Sequence, residues 1–101
     1  MKILSYVKKP NDNKEARAVL KVLSNSNRFN ILKLLLTTKK DLCVHQISEK
    51  VSMSQSATSH QLALLEAYGV VEGVRYSQTK CYVLSRATIV DKIKKVIKTL
   101  T

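Results

Sequence analysis

The apolar positions along the chain fall at helical spacing in most places and as short β-branched runs in a few, with small polar clusters between them. Ala16, Val19, Leu20 and Leu23 recur three and four residues apart and predict a first helix from about Asn13 or Lys14. The cluster Ser24-Asn25-Ser26-Asn27 closes it and supplies an N-cap for the next helix. That second helix carries Phe29, Ile31, Leu32, Leu34, Leu35 and Leu36 on most of its faces, so it belongs at the centre of the core. After the polar turn Thr37 to Asp41, the run Leu42-Cys43-Val44 reads as a short strand. It leads through Ile47 and Val51 into a third helix of about two turns. Ser52-Met53-Ser54 breaks that helix, and Ser54 caps a fourth one bearing Leu62, Leu64, Leu65 and Tyr68, with Gly69 as its C′ residue. Val70 to Tyr76 reads as a strand, Ser77-Gln78-Thr79-Lys80 as a polar turn and Cys81 to Leu84 as the returning strand. A last helix is expected from about Arg86. Its stripe is Val90, Ile93, Ile97 and Leu100, with Lys92, Lys94, Lys95 and Lys98 largely off it.

Five helices and one hairpin give a mainly α fold with a small β-hairpin wing. Two short helices, a tight turn and a basic hairpin in this order are the parts of a winged helix-turn-helix. The composition agrees: the chain has 2 Gly, 1 Pro and 5% aromatic residues, which leaves little material for turns and sheet. Its 101 residues suffice for one domain, and 45% hydrophobic residues make it globular. Residues 14–101 are expected to form that domain, and residues 1–13 a basic, partly ordered leader with Lys2, Lys8 and Lys9. The sequence has neither the apolar core of a signal peptide nor a run long enough to span a membrane, so the expected location is cytoplasmic, with no membrane partner.

Charge narrows the class of partner. The chain carries 18 Lys+Arg against 7 Asp+Glu, a net charge of +11, which is the electrostatic footprint of a polyanion binder. The fourth helix divides in two. Ser54, Gln55, Ser56, Thr58, Ser59, His60 and Gln61 make its first half small and polar, and its second half is apolar. So many weak helix formers are costly in a purely structural helix. They suit a helix laid in a DNA major groove, where small hydroxyl residues let the backbone approach phosphate and Gln can bond an adenine edge through both amide atoms. The helix N-terminus itself attracts phosphate. In the hairpin, Arg75 and Lys80 flank a turn containing Gln78, a pattern suited to phosphate or minor-groove contact. The other function classes fare worse. The seven acids, Asp12, Glu15, Asp41, Glu49, Glu66, Glu72 and Asp91, are scattered, and there is no phosphate loop, nucleophile elbow or metalloprotease motif, so no enzymatic activity is expected. The alternative to a DNA-binding regulator is a winged-helix interaction module whose basic surface meets an acidic protein.

Three stretches carry a resemblance to a known family. Leu23-Ser24-Asn25-Ser26-Asn27-Arg28-Phe29-Asn30-Ile31-Leu32 looks like the entry to the second helix of the ArsR/SmtB regulators. Ser54 to Leu65 is similar to that family's recognition helix, and Gly69-Val70-Val71 to its step into the wing. The resemblance spans roughly residues 14–100. It implies a homodimer joined through the first and last helices, an inverted repeat of double-stranded DNA as target, and repression relieved by an inducer of unknown nature. Carried over by position, it makes Gln55, Ser56, Ser59 and His60 base and phosphate contacts and assigns Arg75 and Lys80 to the wing. The apolar stripe of the last helix fits a dimer seam in its own right.

The cysteines leave three readings open. Asp41-Leu42-Cys43-Val44-His45 resembles the segment where some family members hold soft metals through Cys-x-Cys, with His45 at the second ligand position. Cys43 and His45 alone do not close a site, and the family's other common zinc site needs Asp and His near the last helix, where Arg86, Thr88 and lysines stand and no His follows His60, so no metal or other cofactor is expected. A thiol switch is the second reading: Cys43 near a helix start and Cys81 in the returning strand would approach each other if the short strand ran beside the wing. The third is that both are small buried hydrophobes.

Overall fold

The structure, a computed structural model, describes residues 10–101, with side chains from Lys14 onward. Residues 1–9 of the expected leader lie outside it. Five helices and three strands follow in the order α1 (Pro10–Leu23), α2 (Ser26–Thr37), β1 (Leu42–Cys43), α3 (Val44–Val51), α4 (Gln55–Ala67), β2 (Val71–Tyr76), β3 (Thr79–Leu84) and α5 (Thr88–Leu100). This is the winged helix-turn-helix that the hydrophobic pattern predicts. Helix α1 begins about one turn before Asn13: Pro10 has no N–H to leave unpaired and is preset for a first helical turn.

Local chemistry sets the helix ends. Asn25 caps α2, its side chain accepting from the Arg28 N–H at 3.1 Å. The Arg28 guanidinium turns back to α1, donating from Nε to the Val22 carbonyl and from Nη2 to that of Lys21, each at 3.0 Å. Its Nη1 reaches Gln61 Oε1 on α4 at 3.0 Å. One side chain thus satisfies free carbonyls at the end of α1 and ties three helices together. Between α3 and α4, Ser52 takes a left-handed conformation (φ 57°), and the Met53 N–H bonds the Ser48 carbonyl at 2.9 Å. Helix α4 ends as expected at Gly69 (φ 77°), whose N–H bonds Glu66 O at 2.9 Å while that of Val70 bonds Leu65 O at 2.9 Å.

The sheet has the antiparallel order β1-β3-β2. Strand β3 starts at Thr79, two residues before the expected Cys81, because Tyr76 pairs with Thr79 and tightens the turn to Ser77 and Gln78. Ser77 supplies the positive φ (58°) that such a two-residue turn needs.

The core joins all five helices to the base of the sheet through Val22, Ile31, Leu32, Ile47, Leu62, Leu65, Val70 and Ile93, all essentially inaccessible. Two expectations about helix faces change. On α1 the inward face is Val19 and Val22, whereas Ala16 and Leu20 point out, Leu20 with 69% of its surface exposed. On α5, Ile89, Val90, Ile93 and Ile97 are buried within this same chain, so most of the stripe is covered without a partner. Leu100 remains outside, 67% exposed. Among the described residues no helix is long and apolar enough to cross a membrane.

Candidate nucleic-acid interface

Helix α4 is seated by its apolar half. Leu62 and Leu65 are buried against the core, and Ser54 accepts from the Ala57 N–H at 3.1 Å, which fixes where the helix begins. The first turns then project from the body of the molecule. Ser54, Gln55, Ser56, Ser59 and His60 are exposed. Thr58 does not share that surface: it is fully buried and its hydroxyl donates to the Ser54 carbonyl at 2.8 Å. It falls on the same face as Leu62 and Leu65, so it packs and cannot meet DNA as the sequence suggested. Its polarity hid its position, because helical phase outranks residue type here.

Gln55 is held before any ligand arrives. Its Nε2 lies 3.2 Å from His45 Nδ1, and His45 Nε2 lies 3.5 Å from Glu49 Oε1. An amide N–H donating to Nδ1 places the ring proton on Nε2, toward Glu49, and leaves the Gln55 carbonyl oxygen free. His45, considered above as a metal ligand, therefore orients a side chain of the recognition helix. Cys43 is bonded to Cys81, so its sulfur is not a free thiolate in this structure.

The wing places Arg75, Tyr76, Ser77 and Gln78 in the open. Lys80 stands differently. Its ammonium donates to Glu66 Oε1 at 3.1 Å and lies 5.3 Å from the centre of the Tyr82 ring. The other Glu66 oxygen accepts from the Gly73 N–H at 3.2 Å. The Glu66 carboxylate, first among the causes, holds the Lys80 ammonium above the usual lysine range. Lys80 and Glu66 thus clasp the wing to the last turn of the recognition helix, and a Cβ on Gly73 would collide with the Lys80 chain. A second tie joins Tyr76 Oη to Asp41 Oδ2 at 2.6 Å, and this bond pushes the phenol up from its ordinary value. Sequence reasoning missed Glu66, Asp41 and the orienting role of His45, since contacts 14, 35 and 10 residues apart leave no periodic signal.

What the surface can do follows from these placements. It presents an exposed helix N-terminal half rich in hydroxyl and amide groups and, clasped beside it, a hairpin with an exposed cation, on a chain of net charge +11. Backbone N–H groups and small polar side chains suit phosphate, and an oriented Gln suits a base edge.

Comparison with known proteins agrees with this geometry. Residues 25–73 match the model of the family described as "Bacterial regulatory protein, arsR family". Over 75 residues the chain is 36% identical to the transcriptional activator HlyU of Vibrio cholerae, an alignment covering 74% of this chain and 68% of that protein. The solved structure of that HlyU superposes with a TM-score of 0.77 at 32% identity, covering 91% of this chain and 96% of the other. A putative arsenical resistance operon repressor ArsR of Halobacterium salinarum is 38% identical over 53 residues, 52% of this chain and 41% of its own length. The homodimeric winged helix-turn-helix DNA-binding domain of a Mycobacterium bovis protein has the same fold, with a TM-score of 0.72 at 22% identity and coverage of 92% and 81%. From motif, fold and relatives together, the chain belongs to the arsR family of bacterial regulatory proteins, transcription regulators with a winged helix-turn-helix DNA-binding domain and not enzymes.

Proposed function

We propose that this chain binds a specific double-stranded operator as a homodimer, one protomer on each half of an inverted repeat. Gln55 reads a base in the major groove. Ser54, Ser56, Ser59 and His60 approach phosphate and neighbouring base edges, and Arg75 and Gln78 engage the flanking backbone or minor groove. The observation that carries the reading is the exposed polar half of α4 with Gln55 already oriented by His45, beside a wing fixed to the same helix by Lys80 and Glu66. Lys80 serves DNA indirectly, by positioning the wing. The homodimer is supported by the outward Ala16 and Leu20 on α1 and Leu100 on α5. Whether binding represses or activates then follows from where the operator lies relative to the promoter.

The test is fluorescence anisotropy with duplex from upstream of the gene and a scrambled duplex, across a range of salt concentrations. Tight binding to the upstream duplex with a steep salt slope is expected. Gln55→Ala should cost about 1–3 kcal/mol on the upstream duplex and little on the scrambled one. Equal losses on both would remove Gln55 from base readout. Equal weak binding by the unaltered protein, with no preference for duplex over other polyanions, would favour an acidic protein partner instead.

A further inference from the structure

Cys43 and Cys81 face each other as registered partners on β1 and β3 and are joined as a disulfide. The bond closes a loop with a sequence separation of 38 residues. All the side chains assigned above to DNA, from Ser54 through Gln78, lie inside that loop. Outside it are α1, α2 and α5. The crosslink therefore encloses the helix-turn-helix and the wing turn, and nothing of the helices proposed to pair the protomers.

Its position gives it leverage. Strand β1 has only two residues, paired as Leu42 with Tyr82 and Cys43 with Cys81, so backbone pairing alone gives it a small hold on the sheet. Beyond that edge α3 begins at once, with Cys43 as its N-cap residue and the Gln46 side chain accepting from the Cys43 N–H at 2.9 Å. Strand β3, by contrast, is bound to β2 along its whole length, from Val71↔Leu84 to Tyr76↔Thr79. The disulfide is thus the covalent member of a thin joint between the first helix of the DNA-binding motif and the wing. The two residues also differ in access: Cys81 is 2% exposed, and Cys43 is half-buried at the edge of the sheet.

We propose that Cys43 and Cys81 form a dithiol–disulfide switch on DNA binding. The disulfide form adds a covalent tie between the wing and the start of α3. The dithiol form leaves the wing held by the Lys80–Glu66 and Tyr76–Asp41 contacts, so that the wing shifts more readily against the helix-turn-helix and the protein binds DNA more weakly. This rests on the DNA-binding reading above. The oxidant is a hydroperoxide. Cys43, the more accessible cysteine and the N-cap residue of α3, reacts as its thiolate. The thiolate attacks a peroxide oxygen; an S–O bond forms, the O–O bond breaks and, for hydrogen peroxide, hydroxide leaves and takes up the proton the thiol had lost. The Cys81 thiol then attacks the sulfenic sulfur, the S–O bond breaks and the S–S bond forms, and the hydroxide released leaves as water with the Cys81 proton. Two thiols and one hydrogen peroxide give one disulfide and two waters. A small dithiol reverses the reaction by exchange at the Cys43 sulfur, releasing Cys81 as a thiol and then Cys43 as its own disulfide closes.

The full chain would be prepared reduced with dithiothreitol and reoxidised with hydrogen peroxide, and its thiols counted by alkylation and mass spectrometry. Amide hydrogen exchange over residues 42–84 and anisotropy with the upstream and scrambled duplexes would follow on each form. Expected are two alkylated thiols in the reduced form and none in the oxidised form, with faster exchange in β1 and β3 on reduction. DNA binding should fall about ten-fold on reduction, with a shallower salt slope as wing contacts to phosphate loosen. Because those contacts serve any sequence, part of the loss should appear on the scrambled duplex too. A Cys43→Ser/Cys81→Ser protein should match the reduced form and ignore peroxide. Equal affinity of the two forms, or a dithiol that peroxide does not close, would overturn the switch. Absence of binding to any duplex by either form would overturn the DNA-binding reading and with it control of DNA binding, while the exchange data would still report what the bond does to the joint.

Discussion

Ser52 shows how much of the DNA-binding motif turns on one backbone angle. Its φ of 57° ends α3 and aims the chain so that Ser54 can cap α4 two residues later. A side chain with a Cβ pays about 1–2 kcal/mol to sit in that region. Its surroundings are open, so glycine can replace serine without a packing loss. Ser52→Gly should therefore raise stability by about 0.5–1 kcal/mol, after the greater chain entropy of glycine is subtracted. Urea denaturation would show it as a higher midpoint at unchanged slope, and a lower midpoint would mean that the serine hydroxyl supplies something the geometry does not reveal. The sequence marked Ser52-Met53-Ser54 as a break because serine and a weak pattern stood there. The left-handed angle itself was not legible, since serine is an uncommon occupant of it. Thr58 carries the same lesson in reverse: its type suggested a DNA contact, and only its phase with Leu62 and Leu65 placed it in the core.

Between elements, the informative contacts join segments far apart in sequence. Glu15 on α1 pairs with Lys92 of α5 and accepts from the Thr88 hydroxyl at 3.1 Å, which binds the first helix to the last. The Lys92 contact, with Thr88 behind it, holds the Glu15 carboxyl below the usual carboxylate range. A carboxyl lowered by folding stabilises the folded state at pH values above its ordinary range, and that contribution drains away as pH falls through the lowered value. Glu15→Gln should therefore lower the melting temperature at neutral pH, and the gap from the unaltered protein should close in acid and shrink with salt. A gap that persisted in acid would mean that Glu15 acts through packing and not through its charge. Helical spacing revealed α1 and α5 as elements, the polar cluster Ser24 to Asn27 bracketed the cap of α2, which is Asn25, and Ser54 caps α4 as expected. Which faces met was less legible. A stripe such as Val90, Ile93 and Ile97 reads the same whether a core or a second subunit covers it, and here the chain's own core does.

At the scale of the whole molecule, that covered stripe moves the argument for a dimer onto other residues. One chain buries Val19 and Val22 from α1 and Ile89, Val90, Ile93 and Ile97 from α5, and still leaves Leu20 and Leu100 about two-thirds exposed, with Ala16 outward one turn before Leu20 and Val96 only partly covered one turn before Leu100. Both helices thus have an inner face filled by their own domain and an outer face that is apolar in part, as an element shared between two protomers should. The outer residues lie on α1 and α5, which carry none of the side chains proposed to meet DNA, so pairing there would leave α4 and the wing of each protomer free for the proposed half-sites of one duplex. Leu20→Glu and Leu100→Glu, separately and together, place charge on that face without touching the core. Sedimentation velocity should show the unaltered chain at twice its own mass and the double variant as a monomer, with circular dichroism unchanged. On the upstream duplex the double variant should lose most of its affinity, because each half-site then binds alone and the gain from linkage disappears. If the variants remained dimeric, the protomers would be joined elsewhere, and the exposed leucines would be ordinary surface positions of the kind most proteins carry.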